Sequence, residues 1–521
     1  MKFRSAFALV ALSLQWAFAQ PKTVSILATG AVGDGTTLNT QAIQRAIDSV
    51  ARMGGGTVLV PPGVFVSGTL SLKNFVTLHL DNGATLKGSP RLEDYSYGGK
   101  RVGLLFTQNA HDITIDGEGT IDGNGDTFMD FTRAKVMSGE SVMYTRQKDN
   151  FRKVESGLGD GPVWPKDRPF QMVIFSNCKN VAMRDVKVTN SSFWTLHFAD
   201  CEDVILTGAT ITGNLMVGNN DGVDFTSCRN VRVSDCVIET GDDAIVVTGY
   251  NHHYDLPGYQ YLSHPCENVT VTNCTLVSRS SAIRIGGFDQ NPMRNIVFSN
   301  ITITSSHRGI GLFARDAGAI ENVLFENIVI QTRLHSGDWW GNGEPIHLSA
   351  VRLTKDVPLG GIHNVQFRGI ICKGEAGILV YGSDESVITD VTFQDVRMEV
   401  TESPFTAVAG GNFDLRPVLD PKLQLFAHDI PGIYAQYVNN LRLRDVTVKW
   451  DKVTQPFFTN ALDVEHFDGL DVDGFHGVAA PGAKNAAPIL LRDGSHASLN
   501  VGGLRIEEHH LRSSSGASRK K

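Results

Sequence analysis

The 521-residue sequence contains no long block of lysine or arginine, and 55 Asp+Glu outnumber 47 Lys+Arg to give a net charge of −8. This balance excludes a general binder of nucleic acids or anionic membranes. After the N-terminal region no segment is apolar for long enough to span a bilayer. No spacing of His, Cys, Asp and Glu typical of a metal site occurs. We therefore expect no nucleic-acid or membrane partner, no metal and no cofactor.

The N-terminus has the pattern of a secretory signal peptide. Lys2 and Arg4 precede an apolar run, and Ala17 and Ala19 form a small-residue cleavage site before Gln20. The run is too short for a membrane anchor, so we expect a chain exported to a periplasm or to the outside of a cell. The predicted organisation is a signal peptide (1–19), one catalytic domain (20–511) and a disordered basic tail (512–521).

Glycine is in excess, with 53 residues, and a short phrase recurs along the chain. The phrase places Asn or Asp before alternating apolar residues, and most copies are separated by 23 to 27 residues. The repeated Asn or Asp positions are 180, 203, 230, 268, 295, 322, 364, 390 and 440. Such a period with two-residue alternation predicts an all-β fold, a parallel β-helix whose coils stack and whose corners use glycine. A β-sandwich is the alternative, but its short hairpin turns are scarce here.

Other segments fit the same solenoid. Apolar spacing over 39–53, followed by three glycines, predicts an N-terminal helix that caps the first coil. Four of the seven cysteines share one repeat position and two share another, which indicates stacked buried thiols, with disulfides between coils as the alternative. Insertions are expected at about 126–168, 250–264, 334–350 and 402–432, and in solenoids insertions often gather on the binding face.

Two acidic clusters lie on consecutive coils. Asp221 and Asp242 are 21 residues apart, close to one coil, so we expect them to stack one strand spacing apart. Asp243 can face the same site if Gly241 lets the strand bend. Three adjacent carboxylates cannot all ionise freely, so at least one pKa should rise. A protonated acid beside an ionised base is what glycosidic cleavage needs. The other interpretation is that such Asn and Asp side chains only hydrogen-bond the backbone of a turn. It suits the repeated corner positions better.

The chain resembles glycoside hydrolase family 28, the polygalacturonase family of right-handed parallel β-helices with a pectin-lyase-like fold. The motifs that carry the resemblance are Gly33–Gly35, Gly54–Val58, Pro61–Gly63, Asn82–Leu86, Asn190–His197, Asn219–Asp221 and Gly241–Asp243. The resemblance implies an inverting hydrolase of pectic carbohydrate that needs no metal. It implies Asp242 as the general acid, with Asp221 and Asp243 activating the attacking water. Asn219 and Asp224 are added as substrate-binding candidates from the same motif.

Two family motifs are missing. Ser280–Ala282 stands where the family has Gly-His-Gly, and Gly311–Phe313 stands where it has the Arg-Ile-Lys that holds a galacturonate carboxylate. Strand parity points Arg284 and Arg315 toward the cleft, where they could grip an anionic sugar or instead pair with surface acids. Phe313 also points outward and would suit stacking on a sugar.

The insertions supply further candidates. His252 or His253 could replace the missing histidine or could simply be solvated, and adjacent Trp339 and Trp340 look like a sugar-stacking platform. We expect a secreted, inverting hydrolase of a pectic polysaccharide or oligosaccharide, with exo action favoured because the insertions could wall the cleft. The alternatives are a neutral-glucan hydrolase similar to dextranases, a β-helix lyase or epimerase, and a non-catalytic carbohydrate-binding protein.

Overall fold

The computed structural model describes residues 22–136, 139–153, 159–251, 259, 262 and 264–511. Over these residues the chain forms a parallel β-helix, which confirms the predicted fold class: each strand of a coil pairs in parallel with strands of the coils before and after it. The predicted signal peptide, the predicted tail, His252 and His253 lie outside the described residues. The single-domain organisation stays a prediction.

Three strand ladders run along the solenoid. We call the first the front sheet, and Asp221, Asp242 and Asp243 lie just before the first residues of two of its strands. Its strands are Leu105–Gln108, Val173–Ser176, Leu196–Ala199, Val223–Thr226, Ile245–Thr248, Ser281–Gly286, Arg308–Ala314, Ile346–Ala350, Ile378–Tyr381, Ile489–Arg492 and Ile506–His509, with the first residues of Ile433–Asp451 and Leu462–Asp473.

The other two ladders complete each coil. The second comprises Thr23–Ser25, Gly56–Val60, Val76–Leu80, His111–Asp116, Lys179–Arg184, Glu202–Thr207, Arg229–Ser234, Cys266–Thr272, Met293–Ser306, Ile320–Thr332, Ile362–Gly374, Ile388–Thr401 and Ser495–Asn500. The third comprises Asp34–Leu38, Gly63–Ser67, Ala84–Gly88, Thr120–Asp122, Lys187–Thr189, Thr210–Thr212, Val237–Thr240 and Thr275–Ser278. From Met293 onward single long strands continue through both ladders.

Helices are few. The α-helices are Thr40–Arg52, Gly139–Val142, Thr406–Ala409 and Pro421–Gln424, and the 3-10 helices are Ile26–Thr29, Leu92–Asp94, Gly125–Phe128 and Lys148–Asn150. Thr40–Arg52 buries its apolar stripe against the first coil and confirms the predicted cap. Within the described ranges no helix has both the length and the apolar character needed to cross a membrane.

Stacking of like residues holds the coils together. Inside the helix Phe175, Phe198 and Phe225 stack with ring centroids 5.4 and 5.3 Å apart, and each buried ring contributes about 1.5–3 kcal/mol. At the repeated corners Asn and Asp adopt positive φ, and glycines such as Gly117 and Gly208 do so at other turns, so both residue types turn the chain as expected. Their side chains bond from coil to coil, as in Asn268 Nδ2 to Asn230 Oδ1 at 3.1 Å.

The cysteines follow the same rule. All seven are buried free thiols, as predicted, and none forms a disulfide. The Sγ of Cys201 donates to the Phe175 carbonyl at 3.3 Å and that of Cys228 to the Phe198 carbonyl at 3.1 Å. These contacts tie neighbouring coils together by weak hydrogen bonds instead of covalent links.

Three insertions meet beside the front sheet. The first contains the antiparallel pair Met129–Ala134 and Val163–Pro165, and the last contains the pair Asn412–Asp414 and Leu425–Ala427. The third ends earlier than predicted, because Ile346–Ala350 is a strand of the front sheet. Arg152 joins all three: its backbone N–H donates to Val408 O at 2.8 Å and its Nη2 to Gly341 O at 2.5 Å.

Candidate active site

Adjacent strands of the front sheet bring two of the acidic residues together. Val223 pairs in register with Ile245, so Asp221 and Asp243, each two residues before its partner, lie side by side. The expected stacking of Asp221 directly on Asp242 is therefore displaced by one residue, because the coil at this point is 22 residues long instead of 21. Asp242 lies one position earlier, where the chain turns into the strand.

All three carboxylates converge nevertheless. One oxygen from each of Asp221, Asp242 and Asp243 lies within 4.8 Å of the other two. Gly222 and Gly241 allow this by close approach, because a Cβ at Gly241 would stand 2.3 Å from the Val217 carbonyl oxygen and one at Gly222 would stand 2.5 Å from that of Ala244. The expected bend at Gly241 needs no positive φ, since none occurs there.

Burial separates the three carboxylates. Asp221 and Asp243 are 3% and 1% exposed, whereas Asp242 is half-buried and is the most exposed of the three. Burial and the neighbouring Asp243 raise the pKa of Asp242 to about 6. Burial and the charges of Asp242, Asp224 and Asp243 raise the pKa of Asp221 well above its usual range. The predicted rise of at least one pKa is confirmed.

Hydrogen bonds fix the two adjacent aspartates in different ways. Asp242 Oδ2 accepts from the Asn219 backbone N–H at 2.8 Å, and Asp242 Oδ1 accepts from the Asp243 N–H at 3.0 Å. Asp243 Oδ1 accepts from the Ser281 N–H at 2.7 Å. Asn219 thus positions the half-buried Asp242 carboxylate through its backbone N–H, whereas the sequence predicts only substrate binding for Asn219.

Arg284 points out of the front sheet, as parity predicted, but its partners lie in the protein. It is 8% exposed, and its Nη1 lies 3.0 Å from Asp243 Oδ2. Nη2 donates to the Tyr250 hydroxyl at 2.9 Å and Nε to the Gly286 carbonyl at 2.8 Å. The predicted grip on a sugar carboxylate therefore gives way to a buried ion pair with an active-site acid.

Asp224 lies at the next outward position of the front sheet, between His197 and Val246 on the neighbouring strands. It is 3% exposed, and burial raises its pKa well above its usual range. Its Oδ2 has no hydrogen-bond partner in the described part of the chain, and the same holds for Asp221 Oδ1. Two buried, unsatisfied carboxyl oxygens are suited to hold a buried water.

Arg315 and Phe313 are covered rather than presented to the cleft. Arg315 is 1% exposed, and its guanidinium donates to the carbonyls of Pro417 and Leu415 at 2.7 Å. Phe313 is 1% exposed, with the guanidinium of Arg308 4.9 Å and that of Arg315 5.2 Å from its ring centroid. Because the last insertion lies over this strand, neither residue can contact a sugar as predicted.

The two adjacent tryptophans differ in their exposure. Trp339 is 3% exposed, and its carbonyl accepts from Arg416 Nη2 at 2.7 Å. Trp340 is half-buried. The buried ring cannot stack on a sugar, so only Trp340 keeps the predicted role as an expectation.

The sequence did not single out two basic residues that lie near the aspartates. Arg168 is half-buried, and its Nη2 lies 3.4 Å from Asn219 Oδ1. Its charge is attracted by Asp221 and Asp242. Exposed Lys135 lowers the pKa of Asp242 against the larger effect of burial. Both lie in the first insertion, and only its position ahead of the acidic coils could have indicated them.

The same three carboxylates are close enough to hold a metal ion. Oxygen ligands of this kind suit a hard divalent cation. Arg284 already supplies a positive charge 3.0 Å from Asp243, so a cation here would have to share the site with a fixed guanidinium. The expectation that no metal is needed therefore has a structural reason and remains a prediction.

Comparison with known proteins identifies a matching family and relatives that are similar in sequence. The model of glycosyl hydrolases family 28 matches residues 52–408. An exo-poly-alpha-D-galacturonosidase of Dickeya chrysanthemi is 33% identical over 257 residues, which cover 44% of this chain and 42% of that protein. A probable polygalacturonase of Vitis vinifera is 28% identical over 280 residues, half of each chain. The chain thus spans about half the length of the curated relatives it matches.

Solved structures agree on the fold. A family 28 exopolygalacturonase of Yersinia enterocolitica has a TM-score of 0.62 at 21% identity, covering 88% of this chain and 78% of that one. A hyperthermoactive exopolygalacturonase of Thermotoga maritima has a TM-score of 0.54 at 20% identity, covering 83% and 93%. These matches confirm the right-handed β-helix.

Proposed function

The chain belongs to family 28 of the glycosyl hydrolases, and from that premise we propose that it hydrolyses glycosidic bonds of a pectic polysaccharide or oligosaccharide. The observation that carries the proposal is the convergence of Asp221, Asp242 and Asp243 within 4.8 Å, just before two strands of the front sheet. The printed names of its relatives, polygalacturonase and exo-poly-alpha-D-galacturonosidase, support the pectic substrate. The signal-peptide pattern supports action outside the cytoplasm.

Asp242 is the general acid in this proposal. Its carboxyl is the most accessible of the three, and a pKa of about 6 keeps it protonated in a mildly acidic medium. It donates its proton to the glycosidic oxygen while the bond from that oxygen to the anomeric carbon breaks. The Asn219 N–H then stabilises the carboxylate that remains.

Asp243 is the general base, and Arg284 is its positioning residue. The guanidinium fixes the position of the Asp243 carboxyl, because its Nη1 lies 3.0 Å from Oδ2. The attacking water gives a proton to Asp243 as its oxygen bonds the anomeric carbon. Asp221, whose unpartnered Oδ1 lies on the same wall, orients that water by a hydrogen bond.

Inversion is proposed on the family resemblance and needs a direct measurement. The carboxyl groups of most inverting glycosidases are separated by about 6.5–9.5 Å, whereas here the nearest oxygens lie within 4.8 Å. Nuclear magnetic resonance of the first anomer released decides the question. An anomer of opposite configuration supports the water-activation roles, and the same configuration would make Asp243 or Asp221 a nucleophile.

Exo action is also proposed, because the last insertion covers one end of the cleft. The strand Arg308–Ala314 lies two strands beyond Ile245–Thr248, or about 10 Å at the usual strand spacing. The backbone carbonyl of Asp414 accepts from Arg308 of that strand, and those of Leu415 and Pro417 accept from Arg315, which follows it directly. A polymer cannot continue through this segment, so the chain end should bind here.

The test is a reducing-sugar assay on polygalacturonate, rhamnogalacturonan and a neutral glucan, with Asp242→Asn as the inactive control. We expect short products from one chain end and a slow fall in viscosity on polygalacturonate. A rapid fall in viscosity with little reducing sugar would refute exo action. Turnover of the glucan alone would favour the dextranase-like alternative, and products absorbing in the ultraviolet would identify a lyase.

A further inference from the structure

A pair of strands in the first insertion packs against the turn that precedes the acidic coil. The strands Met129–Ala134 and Val163–Pro165 pair antiparallel, and we call them, together with Lys135, the cleft-side hairpin. Val163 pairs with Val217 and donates its N–H to the Met216 carbonyl at 2.8 Å. These two residues belong to the turn that leads into the acidic coil, so the hairpin is fixed to the catalytic wall.

The base of the hairpin is packed and its outer side is exposed. Met129, Val163 and Val217 form a small buried apolar cluster. Outside it, the guanidinium of Arg133 lies 4.3 Å from the ring centroid of Trp164, which is 40% exposed. A cation held over an exposed aromatic ring offers a charged group and an apolar face together.

Lys135 extends this exposed basic surface toward the acids. Its backbone N–H donates to the Pro162 carbonyl at 2.8 Å, which fixes it beside Val163 and the acidic coil's turn. Its side chain is exposed, and its charge acts on Asp242. Arg168 adds a second positive charge at this edge through its contact with Asn219.

Anionic sugars need such a group, and the usual place for it is covered here. The chain carries a net charge of −8, which repels a polyuronate at long range. Gly311 and buried Phe313 stand at the family's cationic positions, and the guanidiniums of Arg284 and Arg315 are occupied by protein partners. The cations of the cleft-side hairpin are exposed.

We propose that the cleft-side hairpin binds the carboxylates of a uronic acid chain, with Lys135 at the sugar beside the scissile bond and Arg133 on Trp164 at its neighbour. This inference rests on the proposed pectic substrate and moves carboxylate recognition from the front sheet to the first insertion. Trp164 supplies an apolar face to the sugar whose carboxylate Arg133 binds.

The test measures binding without turnover. In the Asp242→Asn protein, calorimetry should show trigalacturonate binding that weakens about five- to tenfold with Lys135→Gln or Arg133→Gln. The fully methyl-esterified trimer should bind these variants and their parent alike, because it has no carboxylate. The matched control is Lys187→Gln, an exposed lysine of the third ladder that changes net charge equally and should leave both affinities unchanged.

The outcomes separate this inference from the proposed function. Unchanged trigalacturonate affinity in both hairpin variants, equal losses for the acid and the ester, or no binding by the parent would each overturn the inference. Loss in the hairpin variants alone supports it. The proposed function fails on a different measurement, which is the absence of turnover of any pectic substrate by the wild-type protein.

Discussion

Replacing Arg284 by methionine should move the alkaline limb of the pH–activity profile to higher pH. The guanidinium is 8% exposed and bonds Asp243, Tyr250 and Gly286 at 2.8–3.0 Å. Methionine fills a similar length of the same space but carries no charge. The variant therefore removes one cation from a site that holds several carboxylates, and the pKa values of Asp221, Asp224 and Asp242 should change.

The direction of the pKa shifts follows from the positive charge of Arg284, which favours ionised carboxylates. Arg284 opposes the effect of burial on the pKa of Asp221, Asp224 and Asp242, so its loss raises all three, and Asp242 rises above about 6. An opposite charge close to a carboxyl is worth about 1–3 pKa units. The alkaline limb, where Asp242 must stay protonated, should move up by about one to two pH units.

The assay is kcat/KM on oligogalacturonate from about pH 4 to about pH 8, with Arg284→Lys as the conservative control. Lysine keeps the charge but not the forked geometry, so its profile should return part of the way. Removing one member of a buried pair can cost about 3–5 kcal/mol of stability, so the thermal midpoint is measured first and the kinetics are run well below it. A lower profile whose alkaline limb has not moved would show that Arg284 is only structural and would refute its proposed effect on Asp242.

Three further outcomes are expected. Asp242→Asn should lower kcat by about a thousandfold while substrate binding persists; retention of more than a tenth of the activity would remove Asp242 as the acid. Prolonged treatment with a chelator should leave kcat unchanged, and loss restored by a divalent cation would assign one to the three carboxylates. Asp414→Asn should lower the unfolding free energy by about 3–5 kcal/mol, because Asp414 is buried between Arg416 at 2.6 Å and the Gly341 N–H at 2.8 Å; an unchanged denaturation midpoint would contradict this.

Much of the fold could be predicted because its forces are local and repeated. The alternating apolar residues and the recurrent Asn or Asp mark one strand and one corner in each coil, and Asn230 and Asn268 show how that corner is held. The capping helix follows from its spacing for the same reason. Only the details of single coils differ, such as the 22-residue step that places Asp221 beside Asp243.

The candidate site could be predicted in part. The acidic motifs located the three aspartates, and strand parity gave the outward direction of Arg284 and Arg315. Strand parity cannot predict which segment of the chain covers an outward-facing side chain. The partners of Arg315 lie about 100 residues further along the chain, at Leu415 and Pro417, and no local pattern links them. The bond from Arg416 to the Trp339 carbonyl was hidden from the sequence in the same way.

The departure from the family motif and the covering insertion have one structural explanation. A Cβ at Gly311 would stand 2.5 Å from the Phe313 ring, and that ring packs between Arg308 and Arg315. An arginine at 311 and a lysine at 313 could not occupy this covered layer without two more buried charges, each costing several kcal/mol. Closing this end of the cleft therefore removes the place where the family binds a carboxylate. If the substrate is a uronate, its charge must be met elsewhere, and the exposed Lys135 and Arg133 lie on the cleft-side hairpin.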